Sequence, residues 1–235
     1  AEAAGYQEIE PPLLINEGSG YGTGQLPDKE GQMYYVDKDE LYLIPTAEVP
    51  ITNIYRGEIV DADELPIRMC GYTQCFRREA GSYGAHVRGL NRIHQFEKVE
   101  IVEIAHPEQS FERQHVMLEK ARRLIVKLEL PHRVLLLSSG DTSFAAAKTY
   151  DLEVFSAAQE MWLDVSSVSN FETFQANRLK RRMREGKKKQ LAHTLNGSAL
   201  ALPRTMAALI ENNQQPDGSI LIPNALQPYT RFTSI

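Results

Sequence analysis

Branched and aromatic residues crowd two stretches of the chain, Ile67 to Phe76 and Phe96 to Ala105, each bounded by turn residues. They predict the best strands, paired antiparallel across a long, polar, glycine-containing connection. Tyr6 to Glu10 reads as a shorter strand stopped by Pro11-Pro12, and Gly18, Gly20, Gly22, Gly24 and Pro27 then predict a mobile loop. Leu41 to Ile44 is a further short strand, after which Thr46 is placed to cap a helix with Glu48 in its first turn. Pro50 fits there because the first turn of a helix has spare N–H groups. From Pro107 the period changes: Phe111, Leu118, Ala121, Ile125 and Leu128 recur at helical spacing until Pro131, which predicts a helix covering one face of the sheet.

Val134 to Leu137, Thr149 to Phe155, Met161 to Val165 and Gln190 to Asn196 supply more strands, mostly without helices between them. The last helix starts at Ser198 or Leu202 and reaches Asn212, and Pro216 to Gly218 turns the chain into a final strand at Ile220 to Ile222. Consecutive strands joined by short turns give an α+β fold, a mainly antiparallel sheet flanked by helices, rather than a doubly wound one. At 235 residues with 42% hydrophobic content, one domain spanning 1–235 accounts for the chain.

The apolar runs are too short for a membrane span and the first residues lack a basic head followed by an apolar core, so a cytoplasmic protein with no membrane partner is expected. Cys70 and Cys75, five apart in one strand, face opposite sides and read as packing thiols rather than zinc ligands. A net charge of -5 argues against a surface that is basic all over. Positive charge is local, at Lys180, Arg181, Arg182, Arg184, Lys187, Lys188 and Lys189 around Gly186, where either a solvated loop or a phosphate contact fits. The chain lacks Gly-x-Gly-x-x-Gly after a strand and Gly-x-x-x-x-Gly-Lys-Ser/Thr, so a bound nucleotide must be held by side chains on a sheet.

Chemistry concentrates around the two long strands. Arg77 closes the first, within Phe76-Arg77-Arg78-Glu79-Ala80-Gly81, and Glu100 lies in the second, within His94-Gln95-Phe96-Glu97-Lys98-Val99-Glu100. A planar guanidinium can grip a phosphate and a carboxylate together, and a carboxylate on the same surface can hold an ammonium or a hydroxyl. Taken singly, each has a plainer reading: Arg77 or Glu100 as a surface ion pair, Glu100 bonded to Arg92, Thr46 as a helix cap, Phe96 as core, His94 and His193 as packing.

Taken together, Thr46-Ala47-Glu48-Val49-Pro50, Phe76 to Gly81, His94 to Glu100 and Thr194-Leu195-Asn196-Gly197-Ser198 resemble, in order and spacing, the catalytic domain of bacterial-type seryl-tRNA synthetase, a class II aminoacyl-tRNA synthetase. The resemblance runs over essentially the whole chain. It implies a class II antiparallel sheet flanked by helices, ATP bound with Mg2+, activation of L-serine to seryl-adenylate and transfer to tRNA(Ser). It implies Arg77 bridging the α-phosphate and the serine carboxylate, Arg204 at the far end of the triphosphate, Arg78 and Glu79 in the ATP segment, and Phe96 under adenine. Asp164, Val165, Ser166 and Ser167 match another ATP-binding segment, with Asp164 and Ser167 as Mg2+ ligands. Thr46, Glu48, Glu100 and Ser198 match serine-binding positions, with Asn196 close by; the resemblance leaves open which glutamate takes the ammonium and which the hydroxyl.

The chain departs from the family pattern in several places. Asp164 replaces a glutamate, and Ala199 and Pro203 replace glycines, which puts Pro203 in the first turn of the last helix. The long tRNA-binding coiled-coil arm and the helix of the first motif are missing from the sequence, so tRNA binding and homodimerisation are expected to be weakened and serine activation to outlast tRNA charging. Two rivals stand beside the synthetase reading: an amino acid:carrier-protein ligase and a non-catalytic binding module.

Overall fold

The protein is described from a computed structural model covering residues 4–79 and 89–235. Ala80, Gly81 and Arg88 of the expected polar connection lie outside the described residues. β1 (Gln7–Glu8) and β2 (Leu14–Asn16) stand either side of Pro11-Pro12. The glycine-rich stretch that follows is helical rather than a loop. Asn16 caps α1 (Glu17–Thr23), its side chain accepting from Ser19 N at 2.9 Å, and Gly24 ends the helix at φ 92°. Packing overrides glycine's poor helix propensity here: a Cβ on Gly22 would lie 2.4 Å from Leu179 Cδ2.

β3 (Tyr35–Val36) and β4 (Leu41–Leu43) join β2 in a small antiparallel sheet, and α2 (Glu48–Asn53) follows. Thr46 is one residue short of the cap position, which is Ala47; its hydroxyl accepts from Glu48 N at 3.2 Å. β5 (Ile59–Asp61) then leads to the two long strands, β6 (Ile67–Phe76) and β7 (Gln95–Ala105), antiparallel as expected. A single 3-10 turn from Pro107 opens α3 (Ser110–Lys127). Its buried stripe runs through Gln114, Met117, Leu118, Ala121 and Ile125, whereas Phe111 is exposed, one step off that stripe.

β8 (His132–Leu136), β9 (Lys148–Ser156) and β10 (Met161–Asn170) come next, then α4 (Phe174–Arg178), the hairpin β11 (Arg182–Glu185) and β12 (Lys188–Leu191), and β13 (His193–Ala201). β10 runs five residues beyond its expected end because Ser166, Ser167, Ser169 and Asn170 interrupt the apolar pattern without interrupting the ladder. The strand expected at Gln190 to Asn196 is two strands that part at Ala192. α5 (Leu202–Asn213) begins at the later of its two expected starts, with Pro203 in the first turn, and α6 (Gln227–Thr230) is short. Ile220 and Leu221 make isolated bridges with Gln214 and Ser234 rather than a strand, since no neighbouring segment runs alongside for longer.

The main sheet has the order β1-β6-β7-β13-β10-β9-β8, antiparallel throughout except for β1 on β6. Strand alternation divides β7 between two environments. Ile101 and Ala105 face a core completed by Met117, Ala121 and Ile125 of α3, while Val102 and Ile104 face one completed by Ala47 and Ile51 at α2. The second face, continued toward Phe96, carries Lys98 and Glu100.

The basic run forms the β11–β12 hairpin, turning at Gly186 with φ 59°. Arg184 pairs with Asp61 on its exposed surface at 2.7 Å, the solvated alternative. Arg181 departs from both readings of that run. It is fully buried, its guanidinium donating to the carbonyls of Thr52 and Tyr55 behind α2, and burial pushes its pKa down to about 10. Cys70 and Cys75 are separate buried thiols. No helix among the described residues is long and apolar enough to cross a membrane.

On the α3 side, Glu103 is completely buried and is met by Arg113 through two bonds of 2.8 and 2.9 Å and by the Tyr6 hydroxyl. Burial first, and then the Glu103 charge, raises the Tyr6 phenol, so the hydroxyl stays a donor. This cluster ties the chain's first strand and α3 to the middle of the sheet. Removing one partner of such a pair strands a charge in an apolar interior. Arg113→Met should therefore lower the unfolding free energy by about 3–5 kcal/mol in urea denaturation; a loss under about 1 kcal/mol would show that Glu103 is relieved by another route.

Candidate active site

β7, β13, β10, the start of α2 and the first turn of α5 enclose one cavity of about 930 Å³. Of the fourteen residues named from sequence as ATP, serine or metal contacts or as their close neighbour, thirteen line it: Thr46, Glu48, Arg77, Glu79, Phe96, Glu100, Asp164, Val165, Ser166, Ser167, Asn196, Ser198 and Arg204. Arg78 does not line it; its backbone N–H donates to Gln32 O at 2.7 Å, so the chain turns it away as Arg77 and Glu79 turn in. The basic run contributes nothing to the lining.

Two bulges shape the floor. Three residues apart on a regular strand, Asp164 and Ser167 would face opposite sides, but the β10–β9 register shifts between Asp164 and Ser166 and brings both to the cavity. In β13 the register shifts between Ser198, opposite Glu100, and Ala201, opposite Lys98. Leu200, inside that shift, takes φ 106°, a strained value for a branched side chain. The bulge bends β13 straight into α5 and aims Arg204 back over the strands.

At one end lie the cations. Arg204 donates from Nη1 to Asp164 O at 2.7 Å and from Nε to Asn91 O at 3.0 Å. Arg77 donates from Nε to Pro45 O at 3.3 Å, and its guanidinium lies 5.4 Å from the centroid of the Phe96 ring. Glu79 pairs with Arg92, which removes Arg92 from Glu100 and overturns that plainer reading. Asp164 shares the floor; burial raises its carboxyl pKa and Arg204 opposes the rise.

Metal chemistry fits the same floor. Asp164 and Ser167 offer oxygen donors side by side, and beneath them Asp151 keeps one buried carboxylate oxygen without a partner in the described residues. Burial first, and then the Asp164 charge, raises Asp151 to about 6. Hard oxygens suit Mg2+, and no group of three His, Cys, Asp or Glu among the described residues could hold an ion alone. Such an ion would need further oxygens, from water or a substrate, beside these side chains.

At the other end lies a compact charged cluster. Lys98 Nζ is 2.8 Å from Glu100 Oε2 and donates to Thr46 Oγ1 at 2.8 Å, while Thr46 Oγ1 donates to Glu100 Oε2 at 3.3 Å. Glu48 Oε1 accepts from Gln175 Nε2 at 2.7 Å, and Gln175 Oε1 accepts from Thr194 Oγ1 at 2.7 Å, an arrangement that fixes which way the Gln175 amide points. Burial, and secondarily the Glu100 charge, pushes Glu48 up to about 7. Lys98 and Gln175 escaped the sequence reading. Lys98 carries a signal, two residues before Glu100 on the same strand face; Gln175, 127 residues from Glu48, carries none. His94 is exposed and contacts the Tyr34 hydroxyl rather than packing, whereas half-buried His193 meets Ser110 Oγ at 2.7 Å, with burial lowering its pKa.

Residues 34–213 match the model of the tRNA synthetase class II core domain (G, H, P, S and T). The chain belongs to this family. The match contains every cavity-lining side chain discussed above from Thr46 to Arg204. Among curated relatives, the class II core is 57% identical to a serine–tRNA ligase of Salinibacter ruber, over all of this chain and 55% of that protein. It is 54% identical to one of Hydrogenovibrio crunogenus, over 96% of this chain and 55% of that protein. Among solved structures, the seryl-tRNA synthetase of Pyrococcus horikoshii complexed with ATP superposes with a TM-score of 0.96 at 38% identity, over all of this chain and 53% of that one. The cytoplasmic serine–tRNA ligase of Naegleria fowleri in complex with AMP gives 0.93 at 32% identity, over all of this chain and 56% of that one. The chain thus spans about half the length of these relatives.

Glu48 provides a direct test of the cluster. Its folded pKa, about 7, lies above the ordinary carboxylate value, so between the two the folded state binds the extra proton. Its contribution to stability is complete at low pH and is lost as pH rises through 7. Glu48→Gln, which mimics the protonated group, should gain stability relative to the parent as pH goes from about 5 to 8, by on the order of 1–3 kcal/mol. Urea unfolding across that range measures it; a pH-independent difference would mean that Glu48 is ionised throughout.

Proposed function

We propose that residues 1–235 are the catalytic domain of a serine–tRNA ligase, which activates L-serine with ATP to seryl-adenylate and transfers the seryl group to tRNA(Ser). The observation that carries this reading is that a single cavity brings together the Arg77 and Arg204 guanidinium groups and the Phe96 ring with the Glu48 and Glu100 carboxylates. The cations and the ring match a nucleotide triphosphate, the carboxylates an amino acid ammonium and hydroxyl. The similar synthetases solved with ATP and with AMP support the nucleotide half.

In the first step a serine carboxylate oxygen attacks the α-phosphorus of ATP, a P–O bond forms, and pyrophosphate leaves with the electron pair of the broken P–O bond. Arg77 bridges the serine carboxylate and the α-phosphate, cancelling the repulsion between two anions and stabilising charge on the phosphate oxygens. Arg204, at the first turn of α5, holds the far phosphates, where the helix dipole also favours an anion. Phe96 stacks under adenine and Glu79 faces the nucleotide from the same segment, while Arg78 between it and Arg77 points out of the cavity. Thr46, Glu48, Glu100 and Ser198 hold the amino acid beside Asn196. Asp164 and Ser167, with Val165 and Ser166 shaping the same segment, would hold Mg2+, which supplies charge neutralisation of the phosphates.

In the second step a ribose hydroxyl at the tRNA 3' end attacks the seryl carbonyl, an ester bond forms and AMP leaves. No protein nucleophile enters either step. A pocket built to bond a side-chain hydroxyl disfavours alanine and glycine, because they leave a buried polar group unpaired at a cost of about 1–3 kcal/mol.

Serine-dependent exchange of labelled pyrophosphate into ATP, run beside tRNA charging, tests the reading. Exchange with charging supports it, exchange with loading of a carrier protein in place of tRNA favours the carrier ligase, and no exchange favours a binding module. Arg77→Ala should lower exchange at least about 10²-fold, the usual effect of deleting one preorganised charge stabiliser; near-normal exchange would refute its role. Asp164→Glu, which restores the family's longer carboxylate, should leave exchange equal or better. A severe loss would show a metal geometry particular to this chain.

A further inference from the structure

Lys98 stands among the groups expected to recognise the amino acid, yet a substrate that brings its own ammonium needs no second cation there. Its backbone is paired on both sides, to Thr73 of β6 and Ala201 of β13, so the side chain is a fixed part of the wall. Only 7% of Lys98 and 2% of Glu100 are exposed. The ammonium touches both Glu100 Oε2 and Thr46 Oγ1 at 2.8 Å.

The charged and titratable groups facing this spot are few. Among the described residues, α2 brings Glu48, β7 brings Lys98 and Glu100, and Arg77 enters from the end of β6; β13 brings neutral Asn196 and Ser198, and α4 brings neutral Gln175 and, at its C-terminal end, Arg178, which is engaged by the Tyr21 carbonyl and the Tyr21 and Phe174 rings. Arg77 is engaged with Pro45 O and Phe96, on the nucleotide side. With both carboxylates ionised the amino-acid end sums to two negative charges and one positive, a net of one negative charge. One incoming ammonium neutralises it. A second would sit unpaired beside Lys98 among largely buried groups, where like charges repel strongly.

Resting on the function proposed above, we propose that Lys98 is a specificity-determining residue: it fills one of the two cation positions created by Glu48 and Glu100, so the pocket accepts an amino acid with one ammonium and a neutral side chain and rejects one with a cationic side chain of the same size. Serine is of the first kind. L-2,3-diaminopropionate, in which an amino group replaces the hydroxyl, is of the second when that group is protonated.

The test is amino-acid-dependent pyrophosphate exchange with both substrates, on the parent protein and on Lys98→Met and Lys98→Gln, with thermal unfolding by circular dichroism to establish that each variant is folded. In the variants the kcat/KM preference for serine over diaminopropionate should fall at least about tenfold, mainly through a lower KM for diaminopropionate; Lys98→Arg, which keeps the charge, should preserve more of the preference. A parallel loss for both substrates with the preference unchanged would mean that Lys98 only supports the fold, and would overturn the proposal. The parent protein gives a second measure that needs no variant. Its KM for diaminopropionate should fall toward that for serine as pH rises and the side-chain amine loses its proton, and equal use of both at low pH would sink the idea. Absence of serine-dependent exchange in the parent would instead overturn the function on which the proposal rests.

Discussion

The cavity depends on one constraint, the antiparallel ladder that holds β7 between β6 and β13. Within it Gly71, Glu100 and Ser198 lie opposite one another across three strands. Because side chains alternate along a strand, a slip of one residue would turn Phe96, Lys98 and Glu100 toward α3 and put Glu97 and Val99 in their place. The register is secured by burial on both faces: Val102 and Ile104 against α2, Ile101 and Ala105 against α3. Charged residues at the open end of the strand are thus positioned by apolar ones at its closed end.

The same frame separates two electrostatic environments. On the α3 side, Glu103 is consumed by Arg113 and Tyr6, and the arrangement is closed to solvent and substrate alike. On the cavity side, Lys98 and Thr46 meet one oxygen of Glu100 and Gln175 meets one oxygen of Glu48, and both carboxylates line the cavity. A closed cluster gives cohesion; one that lines a cavity is open to a ligand. Burial, and secondarily the Glu100 charge, raises Glu48.

Irregularity in the ladder matters as much as regularity. The shift between Asp164 and Ser166 puts Asp164 and Ser167 on one surface, and the shift between Ser198 and Ala201 turns β13 into α5 at Leu202, where Arg204 can reach Asp164 and Asn91. Pro203 suits this turn because it stands where the helix has no N–H bond to lose. Pro203 is therefore compatible with Arg204 lining the cavity.

The sequence by itself determined the long strands, the covering helix and the antiparallel class, because each is written in local period, and contiguous motifs marked thirteen of the residues that line the cavity. Tertiary structure alone decided the rest. The glycines of α1 suggest a loop until Leu179 and Leu26 are seen to require their missing side chains. Arg181 belongs to a run that looks solvated, and only the fold reveals that it is buried behind α2. Gln175 carries no local mark of its bond to Glu48, and the sequence leaves the partner of Glu100 open between Arg92 and others. The reason is common to all four: they depend on which distant segment arrives at a given surface, and local propensity does not encode the partner across the sheet.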